Sequence, residues 1–406
     1  MQEAKSVAGP GADGEAGALV RGWKAFERVL FAGAFAWTAW GLASGLLIYL
    51  WHTAHGAGFV DDLLRPLRAG HPHESALAII ALMIAAYTVW EIALLVVQLW
   101  RRHRAGGARG HRLRAALAEF ALEYQATFLA GLLLGLLPSL IVLDVFFLWL
   151  PGFQGLALFH IGTGWAGWLY ALACWELSTW VWHFAAHRIR IFWCLHAPHH
   201  APVRMNMSVA WVHFFAEGWV TTPIQLVLLM ALGVRPEMLL VLKTFEALWG
   251  TFIHAGERSF ATGRLGWARF FIITPSHHRV HHARNPLYMD TNFCTLLPLW
   301  DWLFGTLQPL RDEVAIEYGT TRAVDPGNFT DFYFGECRAL WRDLRAARGW
   351  RERLLLASMP PGWSPSGQHH LASTLRSDAL RAQPRLGIAR PFRTPRGRRA
   401  PPIPRP

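Results

Sequence analysis

The sequence predicts an all-α protein: a polytopic membrane helix bundle of about four spans plus a helical hairpin, with a cytoplasmic helical cap that carries a histidine-rich site for two metal ions. Three observations predict it. Of 406 residues, 53% are hydrophobic and only 16% charged, with 22 Trp, 25 Phe and a mean hydropathy of +0.22. An ordinary soluble domain is poorer in apolar residues and richer in charge. Several apolar runs reach the ~20 residues that cross a bilayer. Finally, eight histidines recur in three groups at helical spacing between residues 183 and 282.

Residues 1–22 are rich in Gly and Ala and poor in large apolar side chains, so they read as a disordered lead-in. No cleavage signal follows the first apolar run, and the N-terminus is expected to be retained. Residues 23–164 form an N-terminal transmembrane region with spans at 29–51, 76–100 and 128–150. A fourth span, 165–182, opens the region 165–310 that holds the histidine groups and delivers His183 at its end. Runs 218–233 and 238–253 read as a helical hairpin broken at Arg235-Pro236, since proline cannot continue a helix from its N-terminal side.

Arg21, Lys24 and Arg28 precede the first span, and Arg101, Arg102, Arg104, Arg109, Arg112 and Arg114 follow the second. The positive-inside rule places both on the cytoplasmic side, and counting spans brings His183 and His254 to that same face. A bacterial inner membrane is the expected location. Glu91, Asp144 and Glu176 are expensive in hydrocarbon and should face protein. Glu176 lies seven residues before His183, two helical turns away on one face. It is a candidate to accept the second ring N–H of a ligating histidine.

The histidine groups are His183 with His187, then His196, His199 and His200, then His278, His281 and His282. Positions three and four apart are neighbours on a helix, so each group is expected to aim its imidazoles at one spot. A His-x-x-His-His pattern should arise by chance only about 0.05 times in a chain of this composition, and here it occurs twice. A structural zinc closes its shell with four ligands and a catalytic zinc uses three. Eight or more imidazoles therefore overshoot one ion and suit two. Zinc, copper, nickel and iron all accept nitrogen-rich shells, so ligand type alone leaves the metal open. Cys174, Cys194, Cys294 and Cys337 show no metal-ligand or disulfide spacing and read as buried apolar residues.

The run His183-x-x-x-His187, His196-x-x-His199-His200 and Thr274-Pro275-Ser276-His277-His278-Arg279-Val280-His281-His282 resembles the three histidine boxes of the membrane fatty acid hydroxylase and sterol desaturase superfamily. Asp290-Thr291-Asn292-Phe293 and Trp300-Asp301-Trp302-Leu303-Phe304-Gly305-Thr306 are similar to the segment closing that domain. Glu176 stands where the family usually has Asp, and Phe184 where Arg is frequent. The resemblance implies two Fe ions, replaceable by Zn in a purified sample. It also implies hydroxylation of a fatty acyl, sterol or ether-lipid C–H bond with O2 and external electrons. A desaturase introducing a C=C bond is the alternative within the superfamily; a membrane metal-binding or transport protein is the alternative outside it. The implied metal ligands are His183, His187, His196, His199, His200, His254, His278, His281 and His282, with Glu176, Asp290 and Asn292 as catalytic-site residues. His213 is a weaker ligand candidate, and His277 points to another side of its helix. His52, His55, His71, His73, His103, His111, His369 and His370 read as solvated.

No dinucleotide-binding glycine motif, iron–sulfur cysteine spacing or haem-attachment motif is present. Electrons must come from a separate ferredoxin, cytochrome or reductase, or from a pterin. The lipid substrate should enter from the bilayer. In region 311–363, residues 332–348 form an amphipathic pattern of Phe332, Phe334, Leu340, Trp341 and Leu344 among arginines. That helix lies either on an anionic membrane surface or against the catalytic region. Tyr318-Gly319-Thr320-Thr321-Arg322 and Pro360-Pro361-Gly362-Trp363 are similar to C-terminal stretches of bacterial members related to alkylglycerol monooxygenase. From Leu371 onward, nine Arg and one Asp carry +8 of the chain's +12, and residues 364–406 are expected to be a disordered basic tail. No recognition fold accompanies it, so nucleic acid is not an expected partner.

Overall fold

The computed structural model describes residues 155–325 and 328–382, with isolated positions at 86, 89, 90, 93 and 97. Among them the fold is helical, and β pairing is confined to an isolated bridge between Ala283 and Tyr318. The expected spans at 29–51 and 128–150 and the N-terminal lead-in lie outside the described residues, as does nearly all of 76–100.

Helix α1, Trp165–Arg188, ends where the β-branched Ile189 adopts extended geometry (φ −123°, ψ 116°), and α2, Arg190–His200, begins at once. One extended residue thus separates the two helices that carry the first five histidines. The hairpin falls where expected. Helix α3, Glu217–Ala231, is followed by Gly233 at φ +76°, where an added Cβ would meet the Phe159 carbonyl oxygen at 2.6 Å. Only glycine suits that left-handed turn. Arg235 is extended, and Pro236 opens α4, Pro236–Ile253, at the helical position that needs no N–H donor.

These three helices share a core. Ala171 and Trp175 of α1 pack with Leu226, Leu229 and Met230 of α3 and with Met238, Leu239 and Leu242 of α4. Among the described residues no helix is long and apolar enough to cross a membrane. The expected fourth span is therefore a helix of 24 residues whose apolar character is diluted by Glu176, Ser178, Thr179 and its C-terminal histidines.

The third histidine box sits on α5, Pro275–His281, whose first turn is closed by a capping box between Thr274 and His277. That bond turns His277 back toward its own helix start, in line with its exclusion from the ligand set. Short helix α6, Leu299–Leu303, carries the buried Asp301. Helix α7, Phe329–Ala346, is capped by Asn328 and buries Phe332 and Tyr333 against Ala201 and Val212. Of the two expectations for this amphipathic segment, packing on the catalytic region is what its buried face does. Trp341 remains exposed on the other face. Helix α8, Trp350–Ser358, follows.

The expected disorder is corrected for residues 372–382, which form helix α9, Ala372–Ala382, while residues 383–406 of that expected tail lie outside the described residues. Scattered apolar residues proved sufficient there because Leu380 packs on the cluster of Val280, Ala283, Leu287 and Tyr288. Arg376 donates to the Leu287 carbonyl (2.6 Å) and to Gln308 Oε1 (3.0 Å), anchoring the helix beside the third box.

Candidate metal centre

The structure brings the nine predicted metal-ligand histidines together, but not one box to one spot. His183, His187, His196, His200 and His281 form one group; His199, His254, His278 and His282 form the other. Within each group, one ring nitrogen from each histidine lies within 4.8 Å of those of the others. The expectation that each box aims at a single point is corrected by helix geometry. His196 and His200 are four apart and share a face, whereas adjacent His199 is rotated by about 100° toward the second group. His278 and His282 are likewise four apart, and His281 turns to the first. The groups adjoin, with the His200 and His282 rings stacked at 4.4 Å.

Backbone carbonyls fix the rings. His183 Nδ1 donates to Phe293 O (2.9 Å), His199 Nδ1 to Val209 O (3.1 Å), His254 Nδ1 to Gly250 O (2.5 Å) and His281 Nδ1 to Thr291 O (2.8 Å). A carbonyl has no proton to give, so in each neutral ring the proton sits on Nδ1 and Nε2 holds a lone pair. His196 Nδ1 donates to Glu217 Oε1 (3.0 Å), with the same result. Lone pairs therefore confront each other: His183 Nε2 faces His196 Nε2 at 3.1 Å, and His254 Nε2 faces His199 Nε2 at 3.2 Å.

Two lone pairs at that distance repel unless a cation lies between them. With metal–nitrogen bonds of about 2.0–2.1 Å, two ligands at a right angle place their nitrogens about 3 Å apart. The further separations, 2.8 Å from His278 Nε2 to His254 Nε2 and 3.0 Å to His282 Nε2, fit the same spacing. Nε2 of His187, His200 and His281 are buried without a hydrogen-bond partner. The donor set thus fits metal, in two all-nitrogen groups. The four cysteines are free and none joins either group.

The electrostatics agree. Burial, reinforced by repulsion among the rings, holds His187, His199, His200, His278 and His282 well below the usual imidazole range. Burial lowers His254 and His281 to about 3. At neutral pH these seven rings are unprotonated, the state a metal requires.

The other predicted site residues are placed differently. Asp290, at φ +53°, sets Oδ1 3.5 Å from His187 Nδ1 and Oδ2 3.2 Å from Arg188 Nε. It lines a cleft of about 80 Å³ that reaches His187, His200 and His281 and is bordered by Thr320, Thr321 and Ser373. Asn292 lies in neither histidine group. It donates to the carbonyls of His277 (2.9 Å) and Gln308 (2.7 Å) and accepts from Gln308 N (2.7 Å), bracing the loop behind the third box. Glu176 does not accept from an imidazole. Its Oε2 takes the N–H groups of Leu296 and Leu297, both at 3.0 Å, because the loop after Phe293 passes closer to it than any ring. His213 is half-buried and donates from Nδ1 to Glu217 Oε2 (2.8 Å).

Three residues were missed in the sequence. Glu217 joins His196 and His213; its position four after His213 was the available signal. Burial alone would raise its carboxyl, but the two imidazoles more than offset that and hold it at about 2. Asp301 accepts from Phe293 N and Cys294 N (both 2.8 Å) and from Trp180 Nε1 (3.1 Å). Arg279 is fully buried and donates to the carbonyls of Ala255, Phe260 and Ala261, fixing the loop after His254. Gly256 in that loop passes so close to Met205 O that a Cβ would lie 2.0 Å from it.

Residues 168–306 match the family model described as fatty acid hydroxylase, a region that contains all nine histidines. That region is similar to the fatty acid hydroxylase family, and the chain bears a likeness to alkylglycerol monooxygenase. The chain is similar to alkylglycerol monooxygenase of Xenopus tropicalis, 30% identical over 201 residues, covering 50% of this chain and 43% of the relative. The same enzyme of Danio rerio is 30% identical over 207 residues, covering 50% and 44%. Very-long-chain aldehyde decarbonylase GL1-1 of Oryza sativa subsp. japonica is 31% identical over 139 residues, covering 31% of this chain and 21% of the relative. The chain thus spans less than half the length of these curated relatives. No solved structure gives a significant match.

Proposed function

We propose that this chain is a membrane-bound two-iron oxygenase that hydroxylates a C–H bond of a lipid. The reaction consumes O2, two electrons and two protons and yields the alcohol and water. The observation that carries this reading is the convergence of nine buried imidazoles in two adjoining groups with lone pairs turned inward. Iron in both groups would supply the oxidant for an unactivated C–H bond. An alkylglycerol or another alkyl-chain lipid is the proposed substrate class, from the names of the similar enzymes.

The chain's own residues hold the reaction in place. His183 on α1, His199 on α2, His254 after α4 and His281 on α5 have their nitrogen positions fixed by bonds to backbone carbonyls, and His196 on α2 by its bond to Glu217, none of which involves an ion. This is preorganisation. Asp290 and Arg188 border the cleft that opens on the first group and would admit a polar reactant from the aqueous side. The apolar surfaces of α1, α3 and α4, including exposed Leu169, Ile224, Leu228 and Phe245, suit lipid on the opposite approach. The proposed setting is an integral membrane protein with its histidines on the cytoplasmic side, receiving electrons from a separate carrier.

The test is incubation of the iron-loaded protein with 18O2, a reductant and, in parallel, an alkylglycerol, a fatty acid and a sterol. One heavy oxygen in a hydroxylated lipid supports the reading. A product with a new C=C bond and no label assigns desaturation instead. Metal binding with no oxygen consumption on any lipid refutes the oxygenase.

A further inference from the structure

The first residue of α3 connects the two histidine groups in a way neither group requires. The Glu217 side chain is 7% exposed, and both of its oxygens are occupied. Oε1 accepts from His196 Nδ1 at 3.0 Å, and His196 belongs to the first group. Oε2 accepts from His213 Nδ1 at 2.8 Å. The His213 ring then stacks on His199 of the second group, centroids 4.4 Å apart and planes 14° from parallel. The far side of the ring lies against the chain as well, with Nε2 3.2 Å from Ala210 O. Its backbone is clamped by α7: Tyr333 donates its hydroxyl proton to His213 O (3.0 Å) and accepts from Phe215 N (2.7 Å).

We propose that Glu217 and His213 are positioning residues forming a strut between the two metal groups, which fixes the His196 tautomer and the tilt of His199 together. A carboxylate that accepts the outer ring N–H of a ligating histidine orients the ring and strengthens its donor nitrogen. Here the same carboxylate also reaches the other group, through a ring that touches His199 face to face. A third ion held by His196, His213 and Glu217 is the competing arrangement, since these residues also lie close enough to share one. The hydrogen bonds oppose it: His196 and His213 both present N–H, not lone pairs, to Glu217.

This inference rests on the two-ion reading, and the experiment separates the two. The full chain is titrated with Co2+ alone against a competing chelator, with the cobalt absorption bands recorded for wild type, Glu217→Gln, His213→Ala and the double variant. Wild type should take up two ions. Glu217→Gln should weaken the ion bound through His196 by about 10 to 100-fold and shift its bands, because the amide presents N–H to one of its two N–H partners. His213→Ala changes a half-exposed ring and should fold, giving a smaller loss and a band shift in the second ion. Because the two residues act as one strut, the double variant should lose little more than Glu217→Gln alone. Unchanged affinities and bands in both single variants, or strictly additive losses, overturn the strut. Three ions in wild type and two in Glu217→Gln overturn it in favour of the third site. A wild-type chain that binds fewer than two ions overturns the two-ion reading beneath it.

Discussion

Asp301 makes no contact with a ligating histidine, yet its loss should be among the most damaging single changes. Its carboxylate accepts from Phe293 N and Cys294 N at 2.8 Å, from Trp180 Nε1 at 3.1 Å and from Thr306 Oγ1 at 2.6 Å. The side chain is fully buried. Asp301→Ala removes the acceptor for two backbone donors and two side-chain donors. Each buried donor left unsatisfied costs about 1–3 kcal/mol. The Thr306 hydroxyl can rotate to another acceptor and some water can enter, so about 3–5 kcal/mol is the expected total. A domain of this size is stable by only about 5–15 kcal/mol. The damage should reach metal binding, because Phe293 O accepts the hydrogen bond from His183 Nδ1 and thereby orients a ring of the first group. The assay is thermal unfolding in detergent together with bound metal per chain, for wild type, Asp301→Ala and Asp301→Asn. Asp301→Ala should lose much of its metal and most of its folded yield, with Asp301→Asn intermediate. An Asp301→Ala variant that keeps full metal content and melts within about 2 °C of wild type would show that Asp301 does not hold this loop.

Three other outcomes are expected. Acidification should destabilise the metal-free protein: His254 and His281 titrate near 3 when folded and near 6.5 when unfolded, so the unfolded chain binds more protons between those values. Stability is then complete above about pH 6.5 and falls as pH drops, by about 2 kcal/mol for each of these two residues at pH 5, which unfolding measured from pH 7 to 5 will show. Arg376→Ala should loosen α9 and the loop at Leu287 by about 1–3 kcal/mol, read as faster amide exchange at residues 287–292 and in α9; unchanged exchange would show that the tail helix is not anchored there. Glu176→Gln should affect metal affinity less than His183→Ala by at least tenfold, since Glu176 holds the loop at Leu296 and Leu297 and no imidazole; comparable losses would restore a direct role.

That eight of the converging histidines would cluster was legible because groups written on helices use the i, i+3 and i, i+4 spacings that can be counted, whereas His254 has no such neighbour and was suggested only by the family resemblance. The partition of the histidines was not legible, because His199 and His281 belong to their neighbours' boxes but face the other group, and only the relative placement of α2 and α5 decides it. Asp301 was legible as part of a motif but not as a bracket, since its bond to Trp180 crosses 121 residues. Glu176 misled because position on the His183 face says nothing about which loop will approach it. The tail was read as disordered from composition, yet Leu380 and Arg376 find an apolar cluster and a carbonyl that composition does not reveal. The hairpin at Arg235-Pro236 was read correctly because proline geometry acts locally.

The central claim is that nine imidazoles hold two ions. The most direct measurement is X-ray absorption at the iron edge of the reconstituted full chain, combined with metal per chain by elemental analysis. Two irons per chain are expected, each surrounded by about four to five nitrogens and no sulfur, and close to one iron per chain after His199→Ala with His278→Ala. One iron per chain in the unaltered protein, or a sulfur ligand in its shell, would contradict it.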